Sequence, residues 1–139
     1  MTQAATVNRL KHSHPVFLVN DVVKSAEYYR DVLGFRSDRY WGDPPCFCIV
    51  WRDDVEIFLK QPEETCEVTI RPNGAAGAWD TYIGVENADA MCEELRSRGA
   101  KILRQPETTV YDMREFEVED VNGYRLCFAH DTGPAARVS

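Results

Sequence analysis

The chain has 139 residues, of which 44% are hydrophobic and 28% charged, a balance typical of one soluble globular domain. Its 23 acidic and 16 basic residues give a formal net charge of −7, which argues against nucleic acid as a partner. No apolar run approaches the roughly 20 residues of a membrane-spanning helix, and the N-terminus lacks the apolar segment of a signal peptide. We therefore expect a cytoplasmic protein with no membrane partner.

Five cysteines are scattered through the chain, an odd number that includes no CxxC pair. A disulfide framework and a structural zinc site both need a different pattern, so free thiols are expected. Cys46 and Cys48 lie two positions apart in an apolar run and should share one face of a strand. That spacing favours small buried side chains over a metal-binding pair. The other three are Cys66, Cys92 and Cys127.

The first half begins with a predicted strand at 15–19 that leads to Asp21, a residue suited to cap a helix N-terminus. Apolar residues over 22–33 are spaced by four, three and four, which is the stripe of an amphipathic helix, and Gly34 is its stop. Beyond this helix the apolar period changes to two. The pattern predicts strands at 35–41, 46–51 and 55–60, separated by GDPP at 42–45 and DD at 53–54.

The second half repeats this order of elements. A strand at 81–85 leads to Asn87, which follows Asp21 by 66 residues, and the next helix ends at Gly99. The apolar face of that helix consists of Ala88, Met91, Cys92 and Leu95. Three further strands are predicted at 101–104, 113–119 and 124–129, with a loop that contains Pro106 and a hairpin turn at Asn122-Gly123.

The repeat predicts an α+β protein made of two tandem βαβββ modules. We expect one domain over 1–139, divided into a first module at 13–60, a linker at 61–77, a second module at 78–130 and a tail at 131–139. The segment RPNGAAG at 71–77 has the composition of a linker.

Strand alternation assigns side chains to the two faces of each sheet. Val55, Ile57 and Leu59 in the first module, and Tyr124, Leu126 and Phe128 in the second, are predicted to lie under the helices. The opposite faces mix aromatic, apolar and charged side chains, which favours a ligand-binding face over a solvated one. They include His14, Glu56 and Phe58 in the first module and Asp80, Tyr82, Arg125 and Cys127 in the second.

Short motifs follow one another in a fixed order along both halves. The first half has VND at 19–21, SAEYY at 25–29 and LGF at 33–35, and the second has DMREF at 112–116 and DVNGYRL at 120–126. Each motif is weak alone, but together they resemble the vicinal-oxygen-chelate superfamily, the glyoxalase, bleomycin-resistance and dioxygenase group. The resemblance covers residues 15–129 and implies that the two mixed sheets curve into a concave cup.

In the metal-using members of that superfamily, one divalent ion is held by His, Glu or Gln from the first and last strands of each module. The corresponding positions here are His14, Phe58, Asp80 and Cys127, with Glu56 in place of Phe58 if the first hairpin is two residues shorter. Phe58 cannot bind a metal and Cys127 stands where Glu is usual, so we expect no metal and no other cofactor. The alternative is a three-ligand site of His14, Glu56 and Asp80.

The resemblance leaves three functional hypotheses. The first is a protein similar to bleomycin-resistance proteins that binds a flat or cationic small molecule without metal. The second is a divalent-metal-dependent lyase, isomerase or dioxygenase, with Glu56 moving a proton. The third is a protein that serves a partner, with the cup filled by its own side chains.

The resemblance also implies a homodimer, with the cup built either within one chain or across two. The expected partners are a small-molecule ligand and a second copy of the chain. The candidate ligand-binding residues are His14, Tyr40, Trp41, Trp51, Glu56, Phe58, Asp80, Tyr82, Tyr111, Glu115, Arg125 and Cys127.

Overall fold

Two four-stranded sheets, each packed against one helix, make up the described part of the chain. The computed structural model describes residues 7–62 and 77–133, so most of the predicted linker, 63–76, and of the predicted tail, 134–139, lies outside the described residues. Within those two ranges no helix has the length and apolar character needed to cross a bilayer. The elements are β1 (Val16–Leu18), α1 (Val22–Asp31), β2 (Arg36–Trp41), β3 (Phe47–Arg52), β4 (Val55–Lys60), β5 (Thr81–Gly84), α2 (Ala88–Ser97), β6 (Lys101–Thr108), β7 (Met113–Glu119) and β8 (Arg125–Asp131).

The two sheets have the same strand order, β1-β4-β3-β2 in the first and β5-β8-β7-β6 in the second. In each sheet the first and last strands are parallel and the other neighbours are antiparallel. Val16 is opposite Phe58 in the first sheet, and Tyr82, 66 residues after Val16, is opposite Cys127 in the second. The predicted α+β fold of two βαβββ modules with mixed sheets is therefore confirmed.

Each helix begins at a capping side chain and is followed by a glycine with positive φ. The Oδ1 atoms of Asp21 and Asn87 each accept a hydrogen bond of 3.0 Å from the backbone N–H three residues later. The first helix ends at Asp31, two residues before the predicted end, and the chain turns at Gly34 with φ of 75°. The predicted apolar stripe of α1 is buried: Val22, Ala26, Tyr29 and Leu33 are each 0% exposed.

The sixth strand differs from the predicted one. β6 extends to Thr108 and includes Pro106, so the prediction of a loop around this proline is wrong. β6 is an edge strand, and its register with β7 shifts between Ile102 and Arg104 and again between Arg104 and Glu107. An edge strand tolerates proline because one of its sides needs no hydrogen-bond donors, and bulges absorb the extra residues.

The described cysteines are free thiols, as expected, but only one of the pair at 46 and 48 is buried. Cys48 lies within β3 and forms part of the core, whereas Cys46 precedes the strand and is exposed. The expectation that both share a buried strand face is wrong for Cys46, because the strand begins one residue after it. Cys66 lies outside the described residues.

The two modules meet through their hairpins and share one apolar core. The Phe17 ring stacks on the Tyr124 ring at 4.2 Å, and the Tyr124 hydroxyl donates to the carbonyl oxygen of Leu18 at 2.7 Å. In α1 the Tyr29 hydroxyl donates to Oδ2 of Asp120 at 2.6 Å. These contacts hold the β7–β8 hairpin of the second module against the first strand and helix of the first module.

The buried carboxyl of Asp120 makes stability depend on pH. Burial raises the pKa of Asp120 to about 6, against hydrogen bonds from Tyr29, Tyr124 and Asn122 that favour the charged form. The folded-state pKa exceeds the unfolded one, so the stabilisation from this group is present below pH 4 and is lost as pH rises towards 6. Between pH 4 and 7 the wild type should lose about 1–3 kcal/mol of unfolding free energy relative to Asp120→Asn.

Urea denaturation of both proteins at four pH values measures this difference. The exposed Asp43, changed to Asn, is the matched control and should leave the pH profile unchanged. A wild type and an Asp120→Asn variant with parallel pH profiles would contradict the raised pKa.

Candidate functional site

The face of the first sheet opposite α1, here called the first open face, carries a row of aromatic rings. Ring centroids are 5.4 Å apart between Trp41 and Phe47, 5.4 Å between Phe47 and Phe58, and 4.8 Å between Phe58 and His14. These four side chains, the aromatic row, come from β2, β3, β4 and the segment just before β1. The row therefore spans the whole first sheet. Side chains alternate between the two faces along each strand, so Phe47 and Phe58 lie on the open face because Cys48 and Leu59, which follow them, are buried in the core.

A polar group lies beside the aromatic row. Nε2 of His14 is 3.4 Å from Oε1 of Glu56, and Oε2 of Glu56 accepts a hydrogen bond of 2.8 Å from Arg39. The Glu56 side chain is 30% exposed, so a ligand on this face can reach it. Its Oε2 atom is already bonded to the Arg39 guanidinium, so this carboxylate has fewer free lone pairs to offer a metal ion.

Trp51 lies beside the same arginine and is partly covered. The guanidinium carbons of Arg36 and Arg39 lie 5.1 Å and 4.7 Å from its ring centroid, and its Nε1 donates to Asp38 at 3.3 Å. These cation–π contacts occupy the ring face. Trp41, by contrast, is 49% exposed and is available to a ligand.

The face of the second sheet opposite α2, the second open face, carries a buried carboxylate instead of a row of rings. Glu115 accepts hydrogen bonds from the hydroxyls of Tyr82 at 2.6 Å and Tyr111 at 2.8 Å, and from Arg104 at 2.8 Å. We call these four residues the Glu115 cluster. Burial opposes the charge of Glu115, but the hydrogen bonds outweigh burial and hold its pKa below the usual value.

A second carboxylate extends this network along β7. Glu117 accepts from Arg104 at 2.6 Å and from Trp79 at 3.4 Å, and it lies 3.3 Å from Arg125. Cys127 lies beneath these groups and is fully buried. Burial and the two neighbouring carboxylates raise the pKa of the Cys127 thiol to about 12, so this thiol is protonated and unreactive at neutral pH.

Two predicted site residues have other roles. Oδ2 of Asp80 accepts a hydrogen bond of 2.8 Å from the backbone N–H of Arg125, at the start of β8. Tyr40 lies opposite Cys48 and packs against the core, on the helix side of the first sheet. The other predicted residues divide between the first open face (His14, Trp41, Trp51, Glu56, Phe58) and the second (Tyr82, Tyr111, Glu115, Arg125, Cys127).

A comparison with protein-family models agrees with this arrangement of paired modules. Residues 11–128 match the Glyoxalase/Bleomycin resistance protein/Dioxygenase superfamily. The match includes nearly all of both modules. The chain belongs to this superfamily.

Three proteins to which this chain is similar have names that indicate different activities. A "Probable lactoylglutathione lyase" of Synechocystis is 25% identical over 126 residues, covering 81% of this chain and 89% of the relative. The crystal structure of a bleomycin-binding protein from bleomycin-producing Streptomyces verticillus, complexed with copper(II)-bleomycin, is 24% identical and has a TM-score of 0.63 over 92% of this chain and 100% of the other. A glyoxalase-related enzyme from Clostridium phytofermentans is 16% identical, with a TM-score of 0.72 over 93% and 99%. These two solved structures show that the fold is shared.

The superfamily resemblance implies a metal site, and the residues of this chain do not fit one. The strand register makes Phe58, not Glu56, the equivalent of Cys127, so the first hairpin is not shortened. A phenyl ring offers no donor, and the buried thiol is protonated. Within residues 7–62 and 77–133, no three His, Cys, Asp or Glu side chains are grouped so that they could hold a metal ion. His14 and Glu56 supply two donors, one of them paired with Arg39.

Two residues that shape the open faces, Phe47 and Arg104, are absent from the predicted site residues. Phe47 links Trp41 to Phe58, and its alternation with buried Cys48 was a signal that could have found it. Arg104 was treated as the end of a strand, yet the bulges in β6 place it against Glu115 and Glu117. No sequence pattern fixes the position of a bulge, so this ion network could not be predicted.

Loss of the Arg104 guanidinium should destabilise this superfamily member substantially. The Arg104→Ala variant leaves Glu115, which is 0% exposed, without a cation, and the unfolding free energy should fall by about 3 kcal/mol. Glu107, another Arg104 partner, is 61% exposed, and Glu107→Gln should cost about 0.5 kcal/mol or less. Urea denaturation measures both. Equal losses of unfolding free energy in Arg104→Ala and Glu107→Gln would show that burial of Glu115 does not set the strength of the Arg104–Glu115 ion pair.

Proposed function

We propose that this protein binds a flat organic molecule against the aromatic row and performs this function without a metal ion. The observation that carries the proposal is the contact of four rings, Trp41, Phe47, Phe58 and His14, across one sheet face. A planar ligand can stack on several of these rings at once. Each aromatic pair contributes about 0.5–1.5 kcal/mol beyond the apolar area that it buries.

The polar group beside the row supplies orientation. The Glu56 carboxylate offers a hydrogen-bond acceptor to a ligand on the rings, and the His14 imidazole offers either a donor or an acceptor. The hydrogen bond from Arg39 holds the Glu56 carboxylate in place. The net charge of −7 favours encounter with cations over anions. The Streptomyces verticillus relative, which was crystallised with copper(II)-bleomycin, supports a binding role for this fold.

A metal-dependent lyase is the second candidate, and the Synechocystis relative is the observation that favours it. Such an enzyme needs a third donor beside His14 and Glu56, as well as a carboxylate free to take a proton. The pairing of Glu56 with Arg39 and the ring of Phe58 weigh against this reaction. Binding without chemistry therefore agrees better with the donors that are present.

We further propose that two copies form a homodimer in which the first open face of one chain meets the second open face of the other. Exposed apolar side chains on both faces support this arrangement, because contiguous exposed apolar surface marks contact sites. They are Val16 (54% exposed), Leu18 (41%) and Trp41 (49%) on the first face and Tyr82 (41%) and Tyr111 (50%) on the second.

Proflavine, a flat aromatic cation, is a suitable probe of the aromatic row. We expect it to shift the backbone amide resonances of Phe47 and Phe58 and the indole resonance of Trp41 in the ¹⁵N-labelled protein. Phe58→Ala should weaken binding by about tenfold or more, since it removes one of the two inner rings of the row. Tyr40→Phe, on the helix side of the same sheet, is the matched control and should bind normally. Unchanged affinity in Phe58→Ala would contradict the proposal.

Mixing two defective variants tests the dimer. Phe58→Ala damages the first face and Tyr82→Ala the second, so each variant alone should bind proflavine about tenfold or more weakly than the wild type does. In a refolded equimolar mixture, half of the dimers are mixed and each has one intact cup, which restores roughly a quarter of the wild-type sites. A sedimentation experiment establishes the dimer itself. A monomer, or a dimer whose mixture shows no recovered binding, would contradict the shared cup.

A further inference from the structure

A cleft lies between the modules, away from both open faces. It has a volume of about 540 Å³ and opens between the β3–β4 hairpin of the first module and β5 and α2 of the second. Its apolar lining includes Val55, Ile83, Met91 and Phe128. Val55, Ile83 and Phe128 lie on the helix side of the sheets and Met91 belongs to α2, so the cleft is distinct from the surface that carries the aromatic row.

The cleft exists because the two modules differ at equivalent hairpin positions. The parallel strand pairs make Phe58 the equivalent of Cys127, so Val55, three residues before Phe58, is the equivalent of Tyr124. By the same register, Phe17 is the equivalent of Ile83. The Tyr124 ring fills the groove against the first module by stacking on Phe17 at 4.2 Å. Val55 and Ile83 are too small to fill the equivalent groove against the second module. The register therefore makes this open space the equivalent of the one that the Tyr124 ring occupies in the other half.

The charges around the cleft are mainly acidic. Among the described residues that line it, Asp53, Asp54, Glu86 and Glu94 are acidic and Arg52 is basic. Arg52 donates to both oxygens of Glu94, at 2.7 Å and 2.8 Å, so it offsets one of these four charges. Three carboxylates remain around an apolar space, an arrangement that attracts a cation and disfavours an anion.

We propose that this cleft is a second ligand site, which takes a small aromatic cation: one ring in the place equivalent to that of Tyr124 and an amine towards Asp53, Asp54 and Glu86. The apolar lining supplies area for the ring. The acidic side chains supply selectivity for positive charge. The site is separate from the aromatic row, and its occupation does not depend on the function proposed for that row.

Tyramine is the probe that matches this geometry, because it joins the phenol ring of tyrosine to an ammonium group. 4-Ethylphenol has the same ring without charge, and 4-hydroxyphenylacetate has the same ring with a negative charge. In titrations of the ¹⁵N-labelled chain, tyramine should shift the amide resonances of Val55, Gly84 and Met91. It should bind at least about threefold more tightly than 4-ethylphenol, with 4-hydroxyphenylacetate weakest, as expected for partly exposed charges.

Two kinds of variant test the site. Val55→Tyr adds the ring that the equivalent position already has, and it should abolish the tyramine-induced shifts. Val121→Tyr, at an exposed position of the other hairpin, is its matched control and should bind as the wild type does. Asp53→Asn with Asp54→Asn changes surface charge without filling the cleft, and it should reduce the preference for tyramine over 4-ethylphenol, while Glu86 remains.

The amide spectra separate this site from the aromatic row. Tyramine shifts that are confined to Phe47 and Phe58 would overturn the cleft site and leave the aromatic row as a ligand site. The absence of any shift, or shifts that persist in Val55→Tyr, would also overturn it. Equal affinity for tyramine and 4-hydroxyphenylacetate would overturn the selection of cations.

Discussion

The parallel pairing between the first and last strands of each module is the constraint on which the structure depends. Val16 lies opposite Phe58 and Tyr82 opposite Cys127, so one register sets which side chains in each sheet face the helix. A shift of one residue would turn Phe58 into the core and Leu59 outwards. The buried leucine and the helix above it therefore fix the position of the aromatic row. The side chains on the open faces are therefore determined by which neighbouring side chains are buried under the helices.

The same backbone supports two different chemical surfaces. The first open face has rings in contact with one another, whereas the second has carboxylates held by Arg104 and tyrosine hydroxyls. At two positions where the superfamily resemblance implies metal ligands, this chain has the phenyl ring of Phe58 and the protonated thiol of Cys127. The hairpins have diverged as well, since Tyr124 fills the groove that Val55 leaves open. The repeated backbone sets the geometry of both sheets, and the side chains at equivalent positions set the chemistry of each open face.

The fold was largely predictable because it rests on local patterns. Asp21, Asn87 and the glycines after each helix mark the helix ends. Alternation correctly assigned Ile57 and Leu59 of β4, and Leu126 and Phe128 of β8, to the core. Prediction from the sequence fails where the structure of a segment depends on residues that are distant in the chain. Pro106 looks like a loop residue, and only its place on an edge strand makes it compatible with β6.

The candidate site was predictable in part, for a similar reason. Alternation gave the positions of Glu56 and Phe58, since both belong to one regular strand. The pairing of Glu56 with Arg39 spans 17 residues and two strands, so no local pattern reveals it. Tyr40 and Trp41 are both aromatic, and the bulge in β2 decides that only Trp41 faces outwards. Burial of Cys127 likewise follows from the tyrosines and arginine that cover it.

The central claim is that this member of the superfamily holds its ligand without a metal ion, and metal content tests it most directly. The purified protein is equilibrated with Ni²⁺, Zn²⁺, Mn²⁺ or Fe²⁺, dialysed, and analysed by mass spectrometry of the elements, beside a His14→Ala variant. We predict that retained metal is far below one ion per chain and is the same in both proteins. One ion per wild-type chain that is lost in His14→Ala would contradict the account.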